Sequence, residues 1–553
     1  MELVSRRGPR WYWVLALVGL SAMRSAAFGV SCLVAKEVPP SEARQAFLRA
    51  DYEKAIELYE AQLKSQPNNP EAIEELVQAL LRAQNPSDAA SYVNAALAGA
   101  PNNAILLTAQ AEVQLRQGMP WLSFPTAAAA EKADVCYARA HLIMARNAQI
   151  RSMYATAAKE LRVAHQLNPF DPEIRSDWIN TLPLKERITE LEAYLASPTG
   201  DDSEDIQHLR TWLEFMKRRA DEPQKACRLV SSAASTEIPF AYLMYDANRI
   251  RAFGLDVKVN NHNARLAIDT GANRIVISRS IAQKAGLQPV VRNQTGGIGD
   301  EAKQGGYVAY ADSIRIGGLE FRDCLVQVLD SRNVVDTDGL IGMNVFSNFL
   351  VTLDYPMRKL ALGPLPPRPG EAAVAPTLAT EGPESGGSGS NAAGSSGSAT
   401  QQGPFDRYIA PEMQNWTMIY RVGHDLIIPA SLDKKVNKLF ILDTGSFTTT
   451  VTPEAAREVT KLSSDDQLQV KGIQGTVKKV YRAERVTFYF AGLAQPAIDV
   501  PAFDFPQVSR DVGMEISGFI GATTIGMTTL HIDYRDGLVK FDYDPNRGYR
   551  FAR

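Results

Sequence analysis

The fold of this chain is decided by residues 265–277, RLAIDTGANRIVI. Apolar residues flank Asp269-Thr270-Gly271 on both sides, which predicts two buried strands joined by a tight acidic turn. The turn would hold a carboxylate near the protein interior, where an ionised carboxylate is costly unless it is paired or hydrogen-bonded. One Asp-Thr-Gly alone is weak evidence, because roughly one chain in ten of this size would contain it by chance.

The same arrangement recurs at residues 438–451, KLFILDTGSFTTTV, where Asp443-Thr444-Gly445 lies 174 positions after the first motif (269 to 443). Each copy is followed by two apolar residues and a glycine, and then by an apolar strand that ends in Asp-Tyr. These later elements recur 179 positions apart, at Leu340–Gly342 and Phe519–Gly521 and at Val351–Tyr355 and Leu530–Tyr534. A repeat of this length and order indicates a duplicated domain rather than chance.

Together, these motifs resemble those of the retropepsin-like aspartic proteases, over residues 245–363 and 405–548. The resemblance implies two all-β lobes, each of which contributes one aspartate to a peptidase site. The expected catalytic residues are therefore Asp269 and Asp443. The expected supporting residues are two threonines that hydrogen-bond across the lobes, two glycines whose backbone approaches the carboxylates, and one serine: Thr270, Thr444, Gly271, Gly445 and Ser446.

The chemistry of such a pair follows from its electrostatics. Two carboxylates about 3 Å apart cannot both be ionised, so they share one proton. The ionised partner acts as general base on a water molecule, and the protonated partner polarises the peptide carbonyl. This mechanism requires no metal and no cofactor, and its expected substrate is a peptide or a protein.

The two motifs differ at the next residue, which is Ala272 in the first copy and Ser446 in the second. In pepsin-type enzymes the serine hydroxyl at this place donates to the carboxylate, and a donor to the charged form lowers a pKa. We therefore expect Asp443 to be the ionised partner and Asp269 the protonated one.

The chain also departs from the retroviral pattern after the downstream glycines, where Met343 and Ala522 stand in place of the usual arginine. That change puts the contacts that brace retroviral subunits in doubt, but not the dyad. Two glycine-containing segments, residues 296–306 and 471–476, are predicted flap hairpins that would close over a substrate.

The N-terminal half, residues 42–180, has apolar residues at helical spacing and a period of 34 residues, marked by prolines at 67, 101 and 169 and alanines at 55, 89 and 157. This pattern resembles tetratricopeptide repeats, with residues 181–235 as a helical extension. The third unit, around Trp121–Pro125, is expected to break the pattern. The groove of the stack is expected to bind substrate or a partner protein, and a role as a spacer or docking platform stays open.

Residues 1–31 have the composition of a secretory signal peptide. Three arginines precede an apolar run, Trp11–Met23, that is too short for a comfortable membrane span, and small residues follow at 25–27. We expect cleavage near residue 27 and export to the periplasm or the extracellular space. An uncleaved membrane anchor and a lipoprotein acylated at Cys32 are the open alternatives.

Composition adds further limits. A chain of 553 residues with 45% hydrophobic residues is expected to hold several domains, and a net charge of −3 gives no sign of nucleic-acid binding. The four cysteines are scattered, which predicts neither a zinc site nor a disulfide framework. Residues 364–403 are rich in Pro, Gly and Ser, which predicts a disordered linker with a span of roughly 35 Å.

The predicted fold is thus multidomain, with an all-α tetratricopeptide-like repeat region followed by two all-β retropepsin-like lobes. The predicted function is an aspartic endopeptidase whose dyad forms within one chain. The alternative is a non-enzymatic scaffold, in which the repeats and degenerate protease lobes mediate protein–protein interaction. The intact Asp-Thr-Gly in both copies argues against such degeneration.

Overall fold

A computed structural model describes residues 32–544, apart from several short stretches and most of the predicted linker. The stretches outside it are 222–226, 247–248, 296–303, 332–333, 335–336, 370–377, 379–404, 465–469, 473–474 and 478. The predicted signal peptide, residues 1–31, lies outside the described residues, as does the tip of the first predicted flap. Every described helix and strand lies in one compact unit that begins at Val34.

Residues 42–221 fold into consecutive helices, and most of these pack against the next one along the chain. Side-chain caps or prolines start most of them; Asn69 Oδ1, for example, accepts the N–H of Ala72. In the described part of the chain, no helix is both long and apolar enough to cross a bilayer. The helices are α1 Glu42–Leu48, α2 Tyr52–Ser65, α3 Pro70–Arg82, α4 Pro86–Gly99, α5 Ala104–Arg116, α6 Pro120–Ala133, α7 Ala138–Ile150, α8 Tyr154–Leu167, α9 Pro172–Ile179, α10 Leu184–Leu195 and α11 Ser203–Asp221.

The helices keep the 34-residue period through every repeat. Helices α2, α4, α6 and α8 begin at residues 52, 86, 120 and 154, and α3, α5, α7 and α9 begin at 70, 104, 138 and 172. The expectation that the third unit breaks the pattern is therefore wrong. Helix α6 continues through Pro125, because the loss of one backbone hydrogen bond is outweighed by the packing of α6 between α5 and α7.

The helical extension predicted over 181–235 ends earlier than expected. After α11 the chain forms strand β1, Arg228–Leu229, which pairs with the edge of the first β lobe, so the C-terminal end of that prediction is wrong. The first lobe also begins before residue 245, since the strands Thr236–Pro239 and Ala241–Asp246 both start earlier. The first two of these strands, Arg228–Leu229 and Thr236–Pro239, were missed because each is short and pairs with a strand far along the chain.

In its described residues, the first lobe, 228–363, consists of twelve strands and one short α-helix. Its strands are β1 Arg228–Leu229, β2 Thr236–Pro239, β3 Ala241–Asp246, β4 Arg249–Val259, β5 His262–Asp269, β6 Ile275–Ser278, β7 Pro289–Thr295, β8 Gln304–Ile316, β9 Leu319–Leu329, β10 Gly339–Gly342, β11 Phe349–Asp354 and β12 Lys359–Pro364, with α12 at Arg279–Lys284. The main sheet runs β1-β9-β6-β10-β5-β4-β8-β7, and β3 pairs with β4.

The second lobe, residues 405–544, repeats that topology. Its strands are β13 Thr417–Met418, β14 Tyr420–Val422, β15 Asp425–Leu432, β16 Val436–Leu442, β17 Thr450–Val451, β18 Leu462–Ser464, β19 Lys471–Gly472, β20 Gly475–Thr476, β21 Tyr481–Phe490, β22 Leu493–Ala502, β23 Gly518–Ile520, β24 Thr528–Asp533 and β25 Leu538–Tyr543, with helices α13 Pro453–Arg457, α14 Pro506–Val512 and α15 Ala522–Ile525. Its main sheet runs β14-β15-β16-β23-β17-β22-β21-β18. The predicted second flap is present as the β19–β20 pair, with its tip outside the described residues.

A third sheet joins the two lobes, in the order β13-β25-β24-β11-β12-β2. Its centre is the antiparallel pair of β11 and β24, the two strands that the sequence places 179 positions apart. Thr352 lies opposite its own counterpart, His531, and the two side chains hydrogen-bond at 3.0 Å. Equivalent residues face each other in this way only near a local two-fold axis, so the lobes meet in the arrangement that brings two identical turns together.

Two elements differ from the sequence-based expectations. Cys227 and Cys324 form a disulfide between residues 97 positions apart, so the prediction of no disulfide framework is wrong; spacing along the chain does not reveal which strand edges meet. Cys32 is also disulfide-bonded and has no free thiol for acylation.

Within the predicted linker, Arg368 is buried and pairs with Asp536, and Leu378 is buried, so this segment is anchored in part.

Candidate active site

The two Asp-Thr-Gly turns lie where the central strands of each lobe end. Strand β5 ends at Asp269, which stands opposite Gly342 in the parallel neighbour β10. In the second lobe, β16 ends one residue before Asp443, whose N–H donates to the Ile520 carbonyl of β23 at 3.0 Å. A parallel neighbour therefore fixes the backbone on which each carboxylate is carried.

The threonines of the two motifs interlock across the lobes. The N–H of Thr270 donates to Thr444 Oγ1 at 3.0 Å, and the N–H of Thr444 donates to Thr270 Oγ1 at 2.9 Å. Each hydroxyl in turn donates to a carbonyl of the other lobe, at Leu442 (2.5 Å) and Ile268 (3.4 Å). Both predicted threonines are thus brought together, and every donor among them is satisfied in a buried place.

The glycines allow each carboxylate to reach the opposite turn. A Cβ on Gly445 would lie 2.4 Å from Asp269 Cγ, and one on Gly271 would lie 3.2 Å from Asp443 Cγ. Contacts under 3.0 Å are not tolerated, so Gly445 is required by close approach rather than by its backbone angles. The carboxyl groups of Asp269 and Asp443 lie side by side and hydrogen-bond to each other.

Backbone donors hold each carboxylate from its own turn. Asp269 Oδ1 accepts the N–H of Gly271 at 2.9 Å, and Asp443 Oδ1 accepts the N–H groups of Gly445 and Ser446 at 2.9 and 3.1 Å. The Ser446 hydroxyl donates instead to the Thr448 carbonyl at 2.9 Å. The expectation that this hydroxyl donates to the carboxylate is therefore wrong, because a nearer backbone acceptor takes it and the backbone N–H fills its place.

Burial raises the pKa of both aspartates. For Asp269, the neighbouring Asp443 raises the pKa further, to well above its ordinary value. For Asp443, the N–H of Ser446 and the hydrogen bond from Asp269 oppose the effect of burial. The site therefore favours the state in which the two carboxyl groups share one proton.

Comparison with known proteins supports the two halves of the chain separately. Residues 255–348 match the family model of the gag-polyprotein putative aspartyl protease, and residues 46–113 match that of the tetratricopeptide repeat. The chain carries a retropepsin-like protease domain and tetratricopeptide repeats. The predicted fold class, helical repeats followed by β-rich protease-like lobes, is confirmed.

Relatives cover only parts of the chain. It is 31% identical to DNA damage-inducible protein 1 of Neurospora crassa over 111 residues, which are 20% of this chain and 24% of that protein. The chain thus spans about a quarter of that relative. A solved thermophilic TPR protein of Thermus thermophilus is 19% identical and covers 32% of this chain and 95% of its own, with a TM-score of 0.26. At that score, the assignment of the repeats depends on the helical period and the family model.

Two tyrosines beneath the retropepsin-like dyad were not singled out from the sequence. Tyr355 and Tyr534 follow the interlobe strands and are 1% and 0% exposed. Burial raises the pKa of both phenols. The phenol of Tyr355 also hydrogen-bonds to Thr444. The signal was available, since the two tyrosines occupy equivalent positions of the duplication, each directly after the aspartate that ends an interlobe strand, Asp354 or Asp533.

Those two aspartates are turn residues in the structure. Asp354 Oδ1 accepts the N–H of Met357, and Asp533 Oδ1 accepts the N–H of Asp536, each at 3.0 Å. Neither belongs to the dyad.

Short polar residues lie beside the positions where retroviral enzymes carry an arginine. Asn344, beside Met343, accepts the N–H of Arg274 at 3.2 Å and donates to Asn273 Oδ1 at 3.2 Å. In the second lobe, Thr524 and Thr449 hydrogen-bond to each other through their hydroxyls. Each lobe thus braces its own Asp-Thr-Gly turn with short polar side chains.

Within the described residues, one cluster has metal-ligand residue types: Glu131, His141 and Glu160 in the repeats. His141 Nδ1 lies 2.7 Å from Glu160 Oε2, and Nε2 lies 2.9 Å from the Val135 carbonyl. Burial lowers the pKa of His141, but these two hydrogen bonds outweigh it, and the pKa is raised. Each ring nitrogen thus lies within hydrogen-bond distance of a protein oxygen, so both are engaged within the repeats.

Proposed function

We propose that this chain is an aspartic endopeptidase whose catalytic dyad, Asp269 and Asp443, forms within one chain. The observation that carries the proposal is the close approach of each carboxyl group to the opposite turn, where a Cβ added to Gly445 or Gly271 would lie 2.4 or 3.2 Å from the carboxyl carbon of Asp269 or Asp443. The interlocked threonines support it, because they fix the turns in a buried place. A scaffold that no longer cleaved peptides would have no need to keep this arrangement in both lobes.

In the proposed mechanism Asp443 is the general base, and it takes a proton from a water molecule that attacks the peptide carbonyl. Asp269 donates its proton to the carbonyl oxygen as the tetrahedral intermediate forms. Asp443 then transfers its proton to the leaving nitrogen, and the carbon–nitrogen bond breaks while Asp269 takes a proton back from a hydroxyl of the intermediate, which releases the carboxylic acid and the amine and restores the starting dyad. Two coupled acids give a bell-shaped pH dependence whose limbs belong to the pair rather than to either residue.

We also propose that the substrate is a peptide or protein and that the enzyme is exported. The Cys227–Cys324 disulfide supports export, since disulfides persist in oxidising compartments. The proposal includes removal of residues 1 to about 27. N-terminal sequencing tests that step, and a secreted protein that still begins at Met1 would contradict it.

The decisive experiment compares Asp269→Asn with Asp443→Asn in the purified full chain. In a dyad formed within one chain, each substitution removes activity by about 10²–10⁴-fold, the usual contribution of general acid–base groups. If first lobes paired with first lobes across a homodimer, each variant would keep one intact dyad and a substantial rate. Substantial activity in either variant therefore rejects the proposal.

Inhibitors provide an independent check on the reaction class. A statine-type transition-state mimic should inhibit the wild-type enzyme, whereas a chelator and a serine-directed reagent should not. Loss of activity with the chelator alone would assign the chain to the metallopeptidases. A wild-type protein that binds peptides but never cleaves them would favour the scaffold alternative.

A further inference from the structure

The turn between the two helices of each repeat places one residue in the left-handed region. These residues are Ala50, Gln84, Gly118 and Ser152, which are 34 positions apart and have φ values of 60°, 63°, 69° and 58°. Three of the four carry a side chain, so the turn itself does not require glycine. Gly118 therefore needs a separate explanation.

The second lobe supplies it. A Cβ on Gly118 would lie 2.5 Å from the carbonyl oxygen of Glu515, which is backbone and cannot swing away as a side chain could. The N–H of Glu515 donates to the Arg116 carbonyl at 2.9 Å, so the two backbones are in direct contact. Leu115 belongs to the same apolar cluster as Val512 and Met514 of the second lobe.

The next turn contacts the same lobe. Here the glycine is on the other side of the contact, since a Cβ on Gly537 would lie 2.7 Å from Ser152 Oγ. Asp406 of the second lobe accepts both the N–H and the hydroxyl of Thr156, at 2.9 and 2.7 Å. The guanidinium of Arg151 also lies over the Tyr420 ring at 5.2 Å. Two consecutive repeat turns thus form one docking surface for the second lobe.

The docked segment leads directly to the dyad. Two residues after Glu515, the N–H of Ser517 donates to the Leu439 carbonyl of β16 at 2.8 Å. Strand β23 then pairs with β16, and its last residue, Ile520, accepts the N–H of Asp443. Beyond β23, the N–H of Ala522 donates to the Ser446 carbonyl at 2.8 Å.

The equivalent segment of the first lobe is held by contacts within that lobe. Asp338, the counterpart of Ser517, accepts the N–H of Arg265 on its carboxylate at 2.9 Å and the N–H of Ser278 on its carbonyl at 2.8 Å. Helix α11, which follows the repeats, contacts the first lobe elsewhere, through Phe215. Among the described residues, it is therefore the second half of the site that takes its position from the repeat turns.

We propose that the contact of Gly118 with Glu515 makes the helical repeats a positioning element for Asp443, so that the repeats act on the reaction as well as on stability. The inference rests on the proposed peptidase function. It requires that loosening of β23 weakens the N–H donation of Ser446 to Asp443. The titratable groups that face Asp443 in the described residues are Asp269, from the first lobe, and Tyr355, from the interlobe sheet.

The test compares Gly118→Ala with Gly286→Ala in the full chain. Both glycines have φ of 69°, but nothing lies within 4 Å of a Cβ on Gly286. The two variants therefore share the backbone strain, and only the first disturbs the docking contact. We expect Gly118→Ala to lower kcat about tenfold with a smaller change in KM. It should also move the acidic limb of the kcat/KM profile to higher pH by about half a unit, since Asp443 loses a donor to its charged form. Gly286→Ala should leave the limb in place.

A purely structural contact would give a different result. Gly118→Ala would then lower the active fraction without moving the pH profile or kcat per active site, and this outcome overturns the proposal. If Gly118→Ala does not fold, Leu115→Ala removes apolar contact from the same surface and should move the acidic limb in the same direction. An unmoved limb in a folded Leu115→Ala would equally overturn it.

A second readout separates this inference from the peptidase proposal. Amide hydrogen exchange at Ser517–Ile520 should become at least about tenfold faster in Gly118→Ala than in Gly286→Ala. An inactive wild-type protein in which exchange responds as expected would reject the peptidase function but keep the docking contact. An active protein in which exchange at these amides is unchanged would reject the positioning role alone.

Discussion

The two retropepsin-like lobes share one strand topology but are held in place by different means. The first lobe is anchored by its own residues and by the segment just before it, with the Cys227–Cys324 disulfide at its edge, Asp338 beside strand β5 and Phe215 of α11 packed against it. The second lobe contains no cysteine and is anchored by other parts of the chain, namely the repeat turn at Gly118 and the linker residue Arg368. The dyad thus needs the same inner geometry from both lobes, whereas the outer supports are free to differ.

The difference is clearest after the interlobe strands. The second lobe places Asp536 in a fully buried position, where it pairs with Arg368 and with Arg535 Nε at 2.9 Å. The counterpart of Asp536 in the first lobe is Met357, which is 57% exposed. The duplication has therefore acquired a buried ionic cluster on one side only, and it binds the linker to the second lobe.

The largest expected effect compares the two motif glycines. Gly445→Ala would place a Cβ 2.4 Å from Asp269 Cγ, whereas Gly271→Ala would place one 3.2 Å from Asp443 Cγ. The first must displace the carboxyl group of Asp269, the general acid of the proposed mechanism, so we expect a loss in kcat/KM of about 10³-fold. The second needs a shift of a few tenths of an ångström, and we expect less than about tenfold, or about 1.4 kcal/mol of barrier.

Steady-state kinetics of the two purified variants measure the difference, with circular dichroism to confirm that both are folded. Equal losses would mean that the two turns are equivalent in the working enzyme. The difference between the two lobes would then not extend to the dyad.

The next effect concerns the buried cluster of the second lobe. Arg368→Ala leaves Asp536 buried with one guanidinium fewer, and we expect the free energy of unfolding to fall by about 3 kcal/mol. This is the low end for a broken buried ion pair, because Arg535 and the N–H of Tyr408 (2.8 Å) remain. Met357→Ala, at the exposed counterpart, should change it by less than about 0.5 kcal/mol.

Urea unfolding followed by fluorescence gives both values. The double variant Arg368→Met/Asp536→Leu should recover most of the loss, since an apolar pair can replace a buried ion pair. An Arg368→Ala protein of wild-type stability would show that the linker is not anchored at this point in solution.

A smaller effect depends on pH. Burial and the charge of Asp536 raise the pKa of Asp533 to about 6, above the ordinary value of about 3.9 in an unfolded chain. Between these values the folded state holds a proton that the unfolded state releases, so the contribution of Asp533 to stability is present below pH 4 and is lost as the pH rises through 6. We expect a loss of roughly 2 kcal/mol over this window.

Asp533→Asn should remove that loss, so the stability difference between wild type and variant should change across the window. The matched control is Asp354→Asn in the first lobe, whose side chain is partly exposed and makes the equivalent turn contact. Thermal melts at pH 4, 5, 6 and 7 provide the measurement. Parallel curves for wild type and Asp533→Asn would show that Asp533 titrates normally.

Much of this architecture follows from the sequence because the decisive residues are repeated. The 34-residue period and the two Asp-Thr-Gly motifs each recur with fixed spacing, and such recurrence reports tertiary structure that a single motif does not. The helical period continues through Pro125, which was expected to interrupt it, because the packing of α6 against α5 and α7 overrides the local preference of proline.

What the sequence left open depends on contacts between distant segments. The disulfide joins residues 97 positions apart, and the cluster around Asp536 needs a residue from a segment whose composition predicts disorder. Nothing in the sequence around Gly118 predicts that glycine is needed there. The need comes from the backbone of Glu515, almost 400 positions along the chain (118 to 515). Ser446 shows the opposite case. Its place in the motif predicts that its hydroxyl donates to the Asp443 carboxylate, but in the structure the hydroxyl donates to the Thr448 carbonyl.

That difference gives the smallest expected effect. The Ser446 hydroxyl donates to the Thr448 carbonyl, and the donor to Asp443 is the backbone N–H, which alanine retains. Ser446→Ala should therefore cost about 1 kcal/mol of stability at most, for one neutral hydrogen bond, and lower kcat/KM by no more than about twofold. The acidic limb of the pH profile should not move. The reciprocal variant, Ala272→Ser, makes the first motif like the second and should also leave the limb in place. A shift of the acidic limb to higher pH in Ser446→Ala would mean that the hydroxyl turns to the carboxylate in the working enzyme. In that case the two lobes differ in chemistry as well as in support.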